Sequence, residues 1–90
     1  MIDIKTAISI MKQYISNDRM VTFVTKTKEG YVFEADYNDE RYNGFNSENY
    51  VFVMDGNTGQ IRGIDFSEYC KLVDNHIVDP NSWEKVESLK

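Results

Sequence analysis

Ninety residues carrying a formal charge of −5, with 41% hydrophobic and 13% aromatic side chains, are enough for one domain around one core, spanning residues 1–90. A single cysteine, Cys70, excludes an internal disulfide framework and points to a reducing compartment. No run approaches the ~18–20 apolar residues of a bilayer span, so the expected location is cytoplasmic, with no membrane partner.

The charge is unevenly placed. Residues 1–30 hold five basic and three acidic side chains, whereas residues 31–79 hold three basic and ten acidic ones. An acidic middle argues against direct nucleic-acid binding, which relies on Lys and Arg to displace counterions. It suits a basic protein partner, for which charge raises the association rate and selectivity. Imitation of nucleic-acid phosphate is also open to such a surface, interrupted by Lys5, Lys12, Arg19, Lys26 and Lys28.

The opening segment has spaced apolar residues and no basic leader region, so it reads as part of the fold. Ile4, Ala7, Ile8, Met11, Tyr14 and Ile15 recur at the helical period, predicting a helix from about Asp3 to Ile15 with Asp3 as its N-cap. Met20 to Lys26 reads as a strand. After Lys28-Glu29-Gly30, a second strand alternates Tyr31, Phe33, Ala35 and Tyr37 against Val32, Glu34 and Asp36, with Gly30 supplying the positive φ of the turn. Tyr50 to Met54 is apolar on both faces, as in a covered central strand. Asp55-Gly56-Asn57-Thr58-Gly59 turns the chain, and Gln60 to Ile64 returns. Asp65 and Glu68 form a capping box for a second helix striped by Phe66, Tyr69, Cys70 and Val73. Asp79-Pro80 then opens a short third helix carrying Trp83, Val86 and Leu89. The expected class is α+β: a four-stranded antiparallel sheet with the N-terminal helix and one or two C-terminal helices packed on one face.

Catalytic and metal chemistry are poorly represented. Cys70 and His76, six apart across a helix end, would have to fold back to form a nucleophile–base pair, and Cys70 lies on an apolar stripe. The Asp55 turn opens like a calcium loop but has Gln60 where glycine is needed and Phe66 where a bidentate glutamate belongs. No phosphate-cradling glycine motif is present. Glu34 and Asp36 share a strand face about 7 Å apart, and two acids on an exposed strand are far more often solvated surface than a general acid/base pair. The expectation is a protein without enzymatic activity, cofactor or metal.

The distinctive stretch lies between Glu34 and Tyr50, where acids, aromatics and asparagines alternate over a connection longer than a sheet needs. Aromatics supply contact area at low entropic cost, and asparagine supplies adaptable hydrogen bonds. The candidate partner-binding residues are Asp36, Tyr37, Asp39, Glu40, Tyr42, Asn43, Phe45 and Glu48. The second expectation is a structural or assembly subunit that buries the Tyr-rich strand in a homodimer, favoured by edge-strand pairing.

The helix from Ala7 to Ile15, the Gly30-Tyr31-Val32-Phe33 strand entry, the run from Val53 to Ile61 and the Ile64-Asp65-Phe66-Ser67-Glu68-Tyr69 helix start together resemble small bacterial immunity-type domains. The resemblance covers about residues 5–74. The Asp-x-x-Thr-Gly-x-Ile turn also looks like the last hairpin of PepSY-type domains. The immunity resemblance implies a protein that neutralises a partner toxin by direct binding, as an inhibitor or anti-defence protein would. It departs from the family after Tyr37, so it transfers no functional residue.

Overall fold

The computed structural model describes residues 1–37 and 51–89. Helix α1 (Ile4–Tyr14) is followed by β1 (Arg19–Lys26), β2 (Gly30–Tyr37), β3 (Val51–Asp55) and β4 (Ile61–Ile64), then α2 (Phe66–Asp74), β5 (Glu84–Lys85) and a 3-10 turn at Val86–Leu89. The strands form one antiparallel sheet in the order β4-β3-β2-β1-β5.

The architecture is α+β, with five strands rather than the four expected. The added strand replaces the predicted third helix. Asp79 accepts the Asn81 amide at 2.9 Å, and its carbonyl accepts the Ser82 amide and hydroxyl, so the Pro80 segment closes as a turn. Glu84 and Lys85 then pair with Val24 and Phe23 on the open edge of β1. Ladder bonds to a waiting edge prevail over a weak local helix preference, since every backbone donor and acceptor seeks a partner.

Register assigns the two faces. Phe33 lies opposite Val24 and Phe52, and Tyr31 opposite Met54, so these side chains share a face with Ala35. On it α1 seats Ala7, Ile8 and Met11, completing one buried cluster with Val24, Tyr31, Phe33, Ala35, Met54 and Val86. Asp3 caps α1 by accepting the Thr6 amide at 2.8 Å, which holds its carboxyl below the usual range. Burial pushes the Tyr31 hydroxyl up, and that hydroxyl donates to the Ile2 carbonyl at 2.7 Å.

The opposite face carries Val32, Val51, Val53 and Ile64. Here α2 and the chain after it lie, with Leu72 and Ile77 facing Val32 and Val53 across a groove. The helices therefore sit on opposite faces, not on one. The reason is in the strands: β3 is apolar on both sides, and each side needs cover. Trp83 packs against α2, its indole nitrogen donating to the Tyr69 hydroxyl at 3.2 Å.

The two turns use glycine differently, and one departs from expectation. The positive φ of the Asp55 turn falls at Gly59 (75°), where the Asp55 carboxylate accepts the Asn57 and Thr58 amides. Those two bonds hold the Asp55 carboxyl below its usual range. Gly30 instead meets a demand for space: a side-chain carbon there would collide with the Met54 carbonyl and the Gly56 amide. At α2 only half of the capping box forms. Asp65 accepts the Glu68 amide at 2.8 Å, while the Glu68 carboxylate turns to Arg62.

Candidate functional site

Of the eight predicted partner-binding residues, Asp36 and Tyr37 belong to the described structure; Asp39, Glu40, Tyr42, Asn43, Phe45 and Glu48 lie outside the described residues. The two that are placed close the end of β2, and both are held by neighbours on β1.

β1 carries a bulge. Val21 opposes Ala35 and Phe23 opposes Glu34, leaving Thr22 as the extra residue. The bulge brings the Thr22 hydroxyl to 2.9 Å from the Asp36 carboxylate and 3.1 Å from the Glu34 carbonyl oxygen. Asp36 is only 7% exposed, so its side chain is part of the packed sheet face rather than a solvated edge. Beside it, burial first and then a hydrogen bond to Asp36 and the Asp36 charge push the half-buried Glu34 carboxyl up from 4.5 to about 7. A neutral Glu34 donating to Asp36 satisfies both groups, and a second negative charge at that spot is disfavoured.

Tyr37 is clamped by Arg19, at the start of β1. The guanidinium lies over the ring, 4.3 Å from its centroid, while Nη2 donates to the tyrosine hydroxyl at 3.1 Å and Nη1 to the Ala35 carbonyl at 3.2 Å. Two contacts from one cation fix the ring's orientation, and the bond to Ala35 holds the cation in place.

At the other end of the sheet, on the α2 face, a groove of about 480 Å³ has Val32 and Val53 in its floor, Leu72 and Ile77 in one wall, and Gln60, Ile61 of β4 and the polar Thr27, Glu29, Asp55 and Arg62 around its margin. Its wall is built by the way α2 stops. His76 takes φ of 60°, its amide donates to the Val73 carbonyl at 3.0 Å, and the Ile77 amide donates to the Leu72 carbonyl at 2.9 Å. This is a Schellman closure, which sets the residue after the left-handed position against the residue three positions before the cap; here that pair is Ile77 and Leu72.

Sequence reasoning did not single out the groove, the Thr22 bulge, or Phe66, which was assigned to the buried stripe of α2. Phe66 is 68% exposed, and α2 buries none of its residues fully. The signal was present in part: Phe66 immediately follows the cap Asp65, and a first-turn residue can point past the sheet edge while still fitting the helical period. Among the described residues no group of three or more His, Cys, Asp or Glu side chains is placed to hold a metal ion. Cys70 is half-buried and His76 is exposed. No described helix is long and apolar enough to cross a membrane. No protein-family model, curated protein or solved structure matches the chain.

Proposed function

We propose that this chain is a non-enzymatic protein-binding module that acts in the cytoplasm and occludes a basic partner protein, as an inhibitor, immunity or anti-defence protein does. The observation that carries this reading is the clamp on Tyr37. Arg19 holds the first aromatic of the acidic-aromatic stretch in one orientation, so a partner meets it already ordered and association loses less side-chain entropy. The acidic middle of the chain supplies long-range attraction for a basic surface. The resemblance to immunity-type domains points the same way.

Affinity capture from the native host supplies the partner, and titration calorimetry against it supplies the test. Replacing Asp39 and Glu40 together by Lys should slow association and weaken binding by about tenfold or more, with folding intact. Arg19→Ala, which releases Tyr37, should weaken binding by several-fold through faster dissociation. Unchanged affinity in both variants removes this end of the molecule from the interface.

A further inference from the structure

Strand β4 is the last strand of the sheet on its side, paired only to β3 among the described residues. Such an edge presents a row of backbone donors and acceptors to any extended segment that can reach it. Its third residue, Gly63, is not required by the chain's own fold. Its φ lies outside the left-handed region, and an added side-chain carbon would meet the Phe52 ring at an ordinary 3.6 Å. A glycine unexplained by its own fold, on an open edge, fits a place where another backbone comes close.

The surroundings of the edge are self-complementary. Phe66, 68% exposed, stands three residues after Gly63 on the α2 side. Three residues before Gly63, Gln60 marks the margin of the groove floored by Val32 and Val53 and walled by Leu72 and Ile77. An exposed apolar projection and a recess with an apolar floor and wall, rimmed by Thr27, Glu29, Asp55 and Arg62, thus flank one strand at equal and opposite offsets. A two-fold axis at its centre carries each projection to the other copy's recess.

We infer that two copies of this chain associate through β4, antiparallel, with Gly63 on the two-fold axis and Phe66 of each copy seated in the groove of the other. The register follows from sheet geometry. Residues opposite one another in an antiparallel pair share a face, so a two-fold across one continuous sheet must pass through a residue paired with itself. Of the strand's two central residues, Arg62 on the axis would set two guanidinium groups directly opposite each other, which is destabilising. Gly63 on the axis instead pairs Arg62 with Ile64 and Ile61 with Asp65, and brings Phe66 alongside Gln60. This association is independent of the partner-binding reading, because it uses the β4 edge and the α2 face rather than Tyr37 and the acidic stretch. With −5 on each copy, it tightens as salt is added, whereas binding to a basic partner weakens.

Sedimentation velocity of the full chain across about 5–500 μM should show a monomer–dimer equilibrium shifting toward dimer with added salt. Phe66→Ala and Gly63→Lys should each raise the dissociation constant at least about tenfold while leaving the far-ultraviolet circular dichroism unchanged, together with the unfolding midpoint measured at concentrations where the chain is monomeric. The register has its own readout in a Cys70→Ser background. Opposed Cα atoms in the proposed pairing fall within disulfide range, so Gly63→Cys should give a linked dimer under mild oxidation, and Arg62→Cys should not. A monomer at every concentration, a dimer indifferent to both substitutions, or equal cross-linking at the two positions would overturn the inference.

Discussion

The two faces of the sheet are built to different standards. Beneath α1, Ala7, Met11, Val24, Phe33 and Ala35 have no measurable exposure, and all of them belong to one contiguous apolar cluster. The face beneath α2 buries Val32 and Ile64 but also Thr25 and Asp36, and the helix over it has no fully buried residue. Stability concentrates on the first face, because apolar area removed from water is its main source. The second face keeps a groove, a hydrogen-bonded carboxyl pair and a strained helix end. A small domain can hold such features when its other side is closely packed.

Truncating each face in turn tests this division most severely. Phe33→Ala, at 0% exposure, should cost about 3–5 kcal/mol and lower the melting midpoint by 15 °C or more, as read by differential scanning calorimetry, on the order expected for a domain of this size. Leu72→Ala, half-buried at the groove wall, should cost only about 1 kcal/mol. Equal losses would mean that α2 packs as firmly as α1 and would erase the contrast.

The carboxyl pair sharpens the comparison by a smaller amount. With its pKa raised from 4.5 to about 7, Glu34 keeps a proton in the folded state that the unfolded chain releases within that window. The folded state therefore binds more protons there, and stability falls as pH rises from about 4.5 to about 7. Above that range an ionised Glu34 beside Asp36 costs about 1–2 kcal/mol, allowing for the water that still reaches its half-buried carboxyl. Glu34→Gln retains a donor for Asp36 and removes the ionisation. It should raise the midpoint at pH 8 by several degrees and leave it unchanged at pH 4. An equal rise at both pH values would assign the effect to packing instead.

How much of this was legible in the sequence follows from the range of the forces involved. Local signals were read correctly: Asp3 caps α1, Gly59 and Asp55 make the turn, and Asp65 starts α2. Alternation in β2 gave the right division of side chains, because a period of two depends only on neighbouring residues. What was missed depends on partners distant in sequence. Glu84 and Lys85 become strand because β1 has an open edge some sixty residues earlier. Gly30 serves a close approach by Met54 and Gly56. Asp36 is buried because a bulge on β1 delivers Thr22 to it. The placement of the helices on opposite faces was readable in principle, since Val51 and Val53 alternate with Phe52 and Met54 and leave two apolar sides to cover.

The smallest effect tests whether the end of α2 is tuned for the groove or merely tolerated. His76 adopts a left-handed conformation that costs a residue with a side chain about 1 kcal/mol and glycine almost nothing. Its side chain is exposed, so replacing it removes no packing. His76→Gly relieves that cost but gives the unfolded chain more freedom, and the two effects partly cancel. The net gain should be about 0.5–1 kcal/mol, a rise of a few degrees in the melting midpoint. Because the Schellman bonds from His76 and Ile77 set Ile77 against Leu72, firmer closure should also hold the groove wall in place. Backbone amide exchange at Ile77 and Val78 should slow by several-fold in the variant, since those amides donate to the Leu72 carbonyl. A rise in midpoint with unchanged exchange would confine the benefit to the unfolded chain. Slower exchange would show that the last turn of α2 opens on its own, as the looser of the two faces requires.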